Sequence, residues 1–340
     1  MSNSLESDRD PKISHVDIAI PVRNEEDRLS ALLTALAQAA SNCLVPVTAI
    51  VLANNCTDAS VEIARSFYHP ALKVSVRPVT FSTPQASAGR ARRMAMDLAA
   101  RPGGLLMTTD ADAVPCANWI QAAAVAVRAG ADLICGAISA DVPHVLATQS
   151  GARITRAEKA YSGYLNLIRH CLDQITGRQL HGSEKPHYME SGASMAIRAD
   201  CYFKIGGLPV LDSSEDRALV YRAEMHGLTV RYSRDMHAHV SARLQGRADG
   251  GMAACLRHRM QDDDPFADQA MLLPEMMREM WIDAMSGCIQ AYPDRSISLG
   301  SSLRASDLEM RLHDLIDLYE NTVRPQFAAW SLRNAQMVAE

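Results

Sequence analysis

The sequence lacks any excess of positive charge and any long hydrophobic run. These two absences argue against a nucleic-acid-binding protein and against a membrane-spanning one. Its 34 Lys and Arg residues face 39 Asp and Glu residues, a net charge of −5, so no basic field is available to attract nucleic acid. No apolar run approaches the ~18 residues that a membrane span needs. The polar start MSNSLESDRDPK also lacks the basic and apolar segments of a signal peptide. We expect a cytoplasmic protein without a nucleic-acid partner or a transmembrane segment.

Paired cysteines are missing as well. None of the eight cysteines forms a C-x-x-C pair, and a chain of 340 residues does not need disulfides to stabilise its core. We therefore expect free thiols in a reducing compartment, with neither disulfides nor a zinc site.

Two nucleotide-binding motifs do not occur in the sequence. No G-x-G-x-x-G follows the first apolar segment, which argues against nicotinamide-dependent enzymes and methyltransferases. No G-x-x-x-x-G-K-[ST] occurs either, so the chain is not a P-loop nucleotidase.

The N-terminal half contains alternating strand and helix patterns. VDIAIPV, VTAIVLA, LKVSVRPV and GLLMTT predict four strands, and the amphipathic segments between them predict three helices. This alternation is typical of βαβ units, so we predict an α/β fold with a doubly wound, mostly parallel sheet. Ligands of such sheets bind beyond the carboxyl ends of the strands.

The composition changes towards the C-terminus. Methionines become frequent from about Gly250, and the last amphipathic helix is predicted to begin at Ser306, where S-D-L-E has the form of a capping box. We predict a disordered tail over 1–14, an α/β domain over 15–250 and a helical C-terminal extension over 251–340. The sequence leaves the choice between a monomer and a homo-oligomer open.

Two aspartates, Asp110 and Asp112, follow the predicted strand GLLMTT. Two carboxylates held close together repel each other unless a cation lies between them. Mg²⁺ and Mn²⁺ bind through one or two carboxylates together with substrate phosphates. The pair therefore indicates a metal–diphosphate site, and the alternative is an exposed turn with two solvated acids.

A second acid pair, Glu215 and Asp216, begins a predicted helix in DSSEDRAL. A carboxylate beside another carboxylate tends to have a raised pKa, which suits a general base. The alternative is ordinary helix-start chemistry, with a serine cap and acids in the first turn.

The segment HAHVSARLQGRADGG contains further candidates. Arg243 and Arg247 are spaced to hold phosphate oxygens, and the glycines after them allow a loop to close over a ligand. His239, or His237, is a candidate metal ligand. The alternatives are a solvated basic face and histidines that merely flank a strand.

Taken in order, these segments resemble the family-two inverting glycosyltransferases of GT-A fold over roughly Val16 to Gly251. The resemblance is carried by IPVRNEE, VLANNCTDAS, AGRARRMAM, TTDADA, ESGASMAIRADCYFKIGGLP and SSEDRAL. It implies a GT-A-like sheet and a soluble bacterial-type enzyme that uses Mn²⁺ or Mg²⁺.

The resemblance also assigns roles to residues. It implies that Asp216 is the base beside Glu215, and that Asp112 is the more direct metal ligand. Asn54 stands at a position where the family often has aspartate. The nucleotide-sugar-binding residues that it implies are Pro21, Arg23, Glu25, Asn54, Asp58, Arg92, Asp110, Gly192 and Ala193.

The implied activity is metal-dependent, inverting transfer of one hexose from a nucleotide-diphosphate sugar to an acceptor hydroxyl. The sequence has no Q-x-x-R-W, the mark of processive synthases in this family. One alternative is a non-catalytic nucleotide-sugar-binding or scaffold protein, although both acid pairs are present. The other is a sugar nucleotidyltransferase, although PVRNEEDRL lacks the glycine-rich loop that such enzymes begin with.

Overall fold

The chain divides into two compact units, and each is built from two separate stretches of sequence. The computed structural model describes residues 13–82, 87–180, 182–246, 251–296 and 303–339. The first unit combines the N-terminal part up to Asp141 with His187–Ala253, and the second combines Val142–Pro186 with the part from Ala254 onwards. The segment 142–186, which the sequence analysis included in the α/β domain, thus packs with the C-terminal helices.

Within the described residues, the first unit contains one eight-stranded sheet in the order β3-β2-β1-β4-β7-β6-β8-β5. Its strands are β1 (Val16–Val22), β2 (Val47–Asn54), β3 (Lys73–Val79), β4 (Leu105–Thr108), β5 (Val114–Pro115), β6 (Leu133–Ser139), β7 (Met195–Arg198) and β8 (Val230–His239). The pairs β1–β2, β2–β3, β1–β4 and β6–β8 are parallel. Strand β7 is antiparallel to β4 and β6, and β5 is antiparallel to β8. The predicted α/β fold with a mostly parallel sheet is therefore confirmed.

The helices of both units complete the secondary structure. They are α1 (Leu29–Ser41), α2 (Ser60–Ser66), α3 (Ala88–Ala99), α4 (Trp119–Arg128), α5 (Pro143–Leu146), α6 (Gln149–Ile175), α7 (Ala199–Lys204), α8 (Glu215–Met225), α9 (Met252–Gln261), α10 (Pro274–Met285), α11 (Ala305–Leu318) and α12 (Arg324–Ala339), with a π-helical turn (Tyr319–Val323) joining the last two. In the part of the chain that the structure describes, no helix has the combination of length and apolar character needed to cross a bilayer.

The core of the first unit has two apolar layers because successive strand residues face opposite sides of the sheet. Ile18 and Ile20 of β1 pack with α1 and α4 on one side. Ala19 of β1 packs on the other side with Met96 of α3 and Leu219 of α8. Burial on both faces explains why these strands read as continuous apolar runs.

The second unit is a helical assembly built around the long helix α6. Tyr161 and Leu165 of α6 share an apolar cluster with Trp281 of α10 and Leu308 of α11. The Tyr161 hydroxyl donates to the Leu272 carbonyl at 2.8 Å. Helix α11 begins at Ala305, so the capping box predicted at Ser306 is wrong in its register: the Arg304 N–H donates to Asp307 Oδ2.

Candidate active site

Polar side chains gather at one edge of the sheet. The register pairs Val16 of β1 with Val47 of β2 and with Leu105 of β4, so the carboxyl ends of these parallel strands lie together. Strand β7 runs the opposite way and pairs Met195 with Thr108, so the residues that precede β7 reach the same edge. The strand order reverses between β1 and β4, and open α/β sheets bind ligands beside such a switch point.

The two aspartates of the D-x-D segment lie in a turn directly after β4. Asp110 is partly exposed, with 37% of its side chain accessible, and its Oδ1 lies 2.6 Å from Arg92 Nη2. The less exposed Asp112 has an oxygen 3.4 Å from Arg243 Nη2. Burial, with smaller contributions from the charges of Asp110 and Glu25, raises the pKa of Asp112 to about 6. Each aspartate of the turn thus lies beside an arginine, Asp110 beside Arg92 and Asp112 beside Arg243.

Arg92, in the second turn of α3, is the centre of a buried network. Its Nε donates to Glu215 Oε1 at 2.8 Å and its Nη1 donates to Thr108 Oγ1 at 3.1 Å. The same Nη1 donates to the Gly192 carbonyl at 3.0 Å, and Nη2 donates to Asp110. One guanidinium therefore joins the D-x-D turn, the E-D pair and the loop before β7.

The E-D pair begins helix α8. Ser214, at the N-cap position, is in the left-handed region (φ 61°), and its side chain makes no capping hydrogen bond. Asp216 Oδ2 accepts the Gly192 N–H at 2.9 Å, and its Oδ1 accepts the Arg217 N–H at 2.8 Å. Burial and the neighbouring charge of Glu215 raise the pKa of Asp216 to about 6. Ordinary serine capping does not account for this helix start.

A second ion pair, between the buried Glu25 and the partly exposed Arg243, joins the first loop to the segment after β8. Arg243 Nη1 donates to Glu25 Oε2 at 2.7 Å, and its Nη2 donates to Oε1. Helix α1 begins at Leu29, four residues after Glu25. The Glu25 carboxylate accepts the hydrogen bonds of Arg243, and the backbone N–H of Glu25 donates to Ser60 Oγ.

The other residues assigned to the first two loops have mixed placements. Asn54 is buried at the end of β2, and Pro21 lies within β1 opposite Leu52. Asp58 accepts hydrogen bonds from the Glu26 and Ser60 amides, so its carboxylate holds the two loops together. Arg23 directly follows β1.

The predicted metal ligand His239 is not brought to this network. The ring of His239, at the end of β8, lies 3.2 Å from Ser139 Oγ and 3.8 Å from Asp141. Arg247 lies outside the described residues. Among the residues that the structure describes, no three His, Cys, Asp or Glu side chains are grouped as a metal-holding set.

Two residues of the site were missed by the sequence analysis, and one left a signal. A Cβ at Gly89 would lie 2.0 Å from the Leu211 carbonyl oxygen and 3.3 Å from Glu215 Oε2. An isolated glycine in a helical pattern such as AGRARRMAM indicates a close backbone approach. Thr108, which accepts from Arg92, reads as an ordinary strand residue and gives no signal.

A mostly parallel sheet with two acid pairs at its switch-point edge is the arrangement of α/β proteins that bind a ligand across the strand ends. Residues 17–176 match the model of the family described as Glycosyl transferase family 2. Over these residues the match supports the predicted glycosyl transferase family 2, and the α/β sheet agrees with the predicted fold class. No curated protein matches the chain by sequence.

Several solved glycosyltransferase structures are similar to the chain. Mannosyltransferase PcManGT from Pyrobaculum calidifontis, in complex with GDP-Man and Mn²⁺, is 14% identical with a TM-score of 0.48 over 99% of this chain and 89% of that chain. S. aureus TarS 1–349, in complex with UDP-GlcNAc, is 15% identical with a TM-score of 0.47 over 92% and 74% of the two chains. Glucosyl-3-phosphoglycerate synthase from Mycobacterium tuberculosis, in complex with Mn²⁺, UDP and phosphoglyceric acid, is 16% identical with a TM-score of 0.40 over 74% and 78%. These likenesses are distant, and the family assignment rests on residues 17–176.

Proposed function

We propose that the chain transfers one hexose from a nucleotide-diphosphate sugar to an acceptor hydroxyl, with inversion and with the help of a divalent metal ion. The observation that carries this proposal is the Arg92 network, which ties Asp110 of the D-x-D turn to Glu215, next to Asp216. It fixes a candidate base and a candidate diphosphate site relative to each other at one edge of the sheet.

Asp216 is the proposed general base. Two backbone amides orient its carboxylate, and a pKa of about 6 leaves it ionised at neutral pH yet basic enough to accept a proton. The acceptor O–H gives its proton to Asp216 while the oxygen bonds to the anomeric carbon. The bond from that carbon to the diphosphate breaks, and attack from the opposite face inverts the configuration.

The donor set at the D-x-D turn fits a divalent cation. The connected charged groups include five carboxylates and three guanidiniums. The carboxylates are those of Glu25, Asp110, Asp112, Glu215 and Asp216, and the guanidiniums are those of Arg92, Arg217 and Arg243. With all groups ionised, five negative and three positive charges leave an excess of two negative charges. Hard oxygen ligands suit Mg²⁺ or Mn²⁺, and Asp112, assisted by Asp110, would hold the ion. When bound, such an ion stabilises the charge that develops on the leaving diphosphate.

Arg243 is the proposed phosphate clamp of this chain. Its guanidinium lies 3.4 Å from Asp112, and a guanidinium fork matches the geometry of phosphate oxygens. The pair with Glu25 holds it at this position before a donor arrives.

Donor binding is the first test. Unfolding temperatures would be measured with a panel of UDP- and GDP-sugars, with and without Mn²⁺ or Mg²⁺, for the unsubstituted chain and for Asp112→Ala. A ligand at 100 times its Kd stabilises the folded state by about 2.7 kcal/mol. We expect a metal-dependent shift for one nucleotide class, lost in Asp112→Ala and kept in the control Asp141→Ala, whose side chain is 90% exposed.

The outcomes separate the candidate functions. No shift with any donor would remove the nucleotide-sugar proposal. Binding without release of nucleoside diphosphate would favour a non-catalytic protein. NMR of the anomer first released from the bound donor, with water as acceptor, tests inversion, and a retained configuration would contradict it.

A further inference from the structure

Arg92 has little capacity left for a bound nucleotide. Arginine carries five N–H donors, and the bonds to Glu215, Thr108, Gly192 and Asp110 occupy four of them. Arg92 is also 7% exposed, so its guanidinium lies below the surface at which a donor would bind.

The peptide of Gly192 connects Arg92 to Asp216. The Gly192 carbonyl accepts from Arg92 Nη1 at 3.0 Å, while the Gly192 N–H donates to Asp216 Oδ2 at 2.9 Å. Arg92 therefore fixes the Gly192 peptide through its carbonyl, and the N–H of the same residue in turn orients the Asp216 carboxylate. Glu215 provides a second connection between Arg92 and Asp216, because it accepts a hydrogen bond from Arg92 and directly precedes Asp216 in α8.

The absence of a side chain at position 192 is a condition for this arrangement. A Cβ at Gly192 would lie 2.5 Å from Cζ, 2.7 Å from Nε and 2.8 Å from Nη2 of Arg92. These are distances that real Cβ atoms do not show, so a methyl group would displace the guanidinium. The φ angle of Gly192 lies outside the left-handed region, so collision with Arg92 is the main effect of alanine there.

We propose that Arg92 and Gly192 together form a positioning unit that orients the carboxylate of Asp216 and couples it to Asp110, and that Arg92 is not a nucleotide ligand. This inference rests on the proposed function, since it takes Asp216 as the base. Lysine cannot replace Arg92 in this unit, because its side chain has one nitrogen, whereas the three nitrogens of the Arg92 guanidinium reach four acceptors.

The test combines Arg92→Lys, Gly192→Ala and the double variant. Turnover would be followed as release of nucleoside diphosphate from the donor identified by thermal shift, with water or glycerol as acceptor. We expect each single variant to lower kcat by about 10- to 100-fold, the scale of a misplaced catalytic group. The donor Kd should stay within ~3-fold, because that contact is not made by Arg92. The double variant should be no slower than the slower single variant, because both disrupt one unit.

Matched controls exist for both substitutions. Arg93→Lys changes the neighbouring arginine of α3, which pairs with Asp97. Gly163→Ala adds a methyl group where nothing lies within 4 Å. Both controls should keep kcat within ~2-fold of the unsubstituted chain.

Several results would overturn the proposal. A 10-fold loss of donor affinity with unchanged kcat in Arg92→Lys would make Arg92 a nucleotide ligand, and additive losses in the double variant would mean separate roles. If Arg92→Lys does not fold, Gly192→Ala decides through the same comparison of kcat with Kd, and if neither folds the network is purely structural. If the unsubstituted chain neither binds nor cleaves any donor, the proposed function itself is refuted. That result is obtained without the variants, so it is distinct from a failure of the positioning unit.

Discussion

The carboxylate of Asp216 is the group on which the proposed chemistry depends most directly. Asp216→Asn keeps the size of the side chain but removes the proton acceptor, and its single amide oxygen can accept from only one of the Gly192 and Arg217 N–H groups. We expect kcat to fall by roughly 10²–10⁴-fold, the usual scale for a general base, while the donor Kd stays unchanged. Steady-state kinetics beside a donor titration would show this split, and near-full kcat in the variant would exclude Asp216 as the base.

The raised pKa of Asp216 predicts a pH dependence. The base acts when ionised, and its pKa of about 6 lies above the ordinary value. Activity should therefore be lost as pH falls through about 6 and reach a plateau above it, whereas an ordinary aspartate would keep the plateau to about pH 5. The measurement is kcat/KM from pH 4.5 to 8 with saturating Mn²⁺. The pKa of Asp112 is also raised to about 6, so Asp216→Asn separates the two groups: loss of the acid limb assigns it to Asp216, and a limb that persists in the variant belongs to Asp112.

At the scale of elements, the segment after β8 is fastened to the first loop by one ion pair. Glu25 is 6% exposed, so Arg243→Ala would leave a buried carboxylate without its guanidinium. Removing one partner of a buried pair is strongly destabilising, and for this partly exposed arginine we expect a loss of about 2–4 kcal/mol in the free energy of unfolding. Urea unfolding of the ligand-free chain would measure the loss.

Two further variants identify the cause of that loss. Adding Glu25→Gln to Arg243→Ala should recover part of the stability, because the unpaired charge is then gone. Arg311→Ala breaks the pair with the exposed Glu275 and should cost less than about 1 kcal/mol. Equal losses in Arg243→Ala and Arg311→Ala would contradict the structural role given to the buried pair.

Local patterns were sufficient to predict the strands and helices of the βαβ region. The predicted strand VDIAIPV coincides with β1, since burial on both faces makes such a strand a continuous apolar run. Helix α6 was not predicted over its 27 residues because it also buries Arg169, Asp173 and Gln174, which blur the apolar stripe. The insertion of β7 between β4 and β6 depends on pairing between distant segments, and periodicity carries no information about that.

The site was predictable as a set of acids and less so as a network. Position at strand ends singled out Asp110 and Asp112, whereas the E-D pair also matched ordinary helix-start chemistry and received a catalytic role only from the family resemblance. Which arginine each acid contacts depends on how α3 and α8 approach each other, and Gly89 was the local sign of that approach. Arg92 was therefore expected near the nucleotide, whereas the structure shows it joined to Glu215 and Asp110.

At the scale of the whole molecule, the chain passes between the two units three times. A chain ending at Ala253 tests whether the predicted domain 15–250 folds without the C-terminal extension. Helix α6 packs Ile154, Leu165 and Ile168 in an apolar cluster with Trp281 and other C-terminal residues. The truncated chain lacks those C-terminal residues. We expect it to aggregate, because a large apolar face would be exposed.

Size-exclusion chromatography would measure the result of this truncation. A chain ending at Asn334, which removes only the end of α12, should stay folded and serves as the control. A monodisperse 1–253 product that binds donor would support residues 15–250 as an independent domain.

The position of β7 also has a consequence for synthesis on the ribosome. Strands β4 and β6 flank β7 in the sheet, yet β7 is translated only after β6 and the whole segment 142–186. At ordinary elongation rates this interval lasts roughly 3–12 s. Throughout that time one edge of β4 and both edges of β6 lack their partners, because β8 is translated later still. Unpaired edges are templates for pairing with other chains. Chaperone demand should therefore peak as β6 emerges and fall once β7 closes the gap.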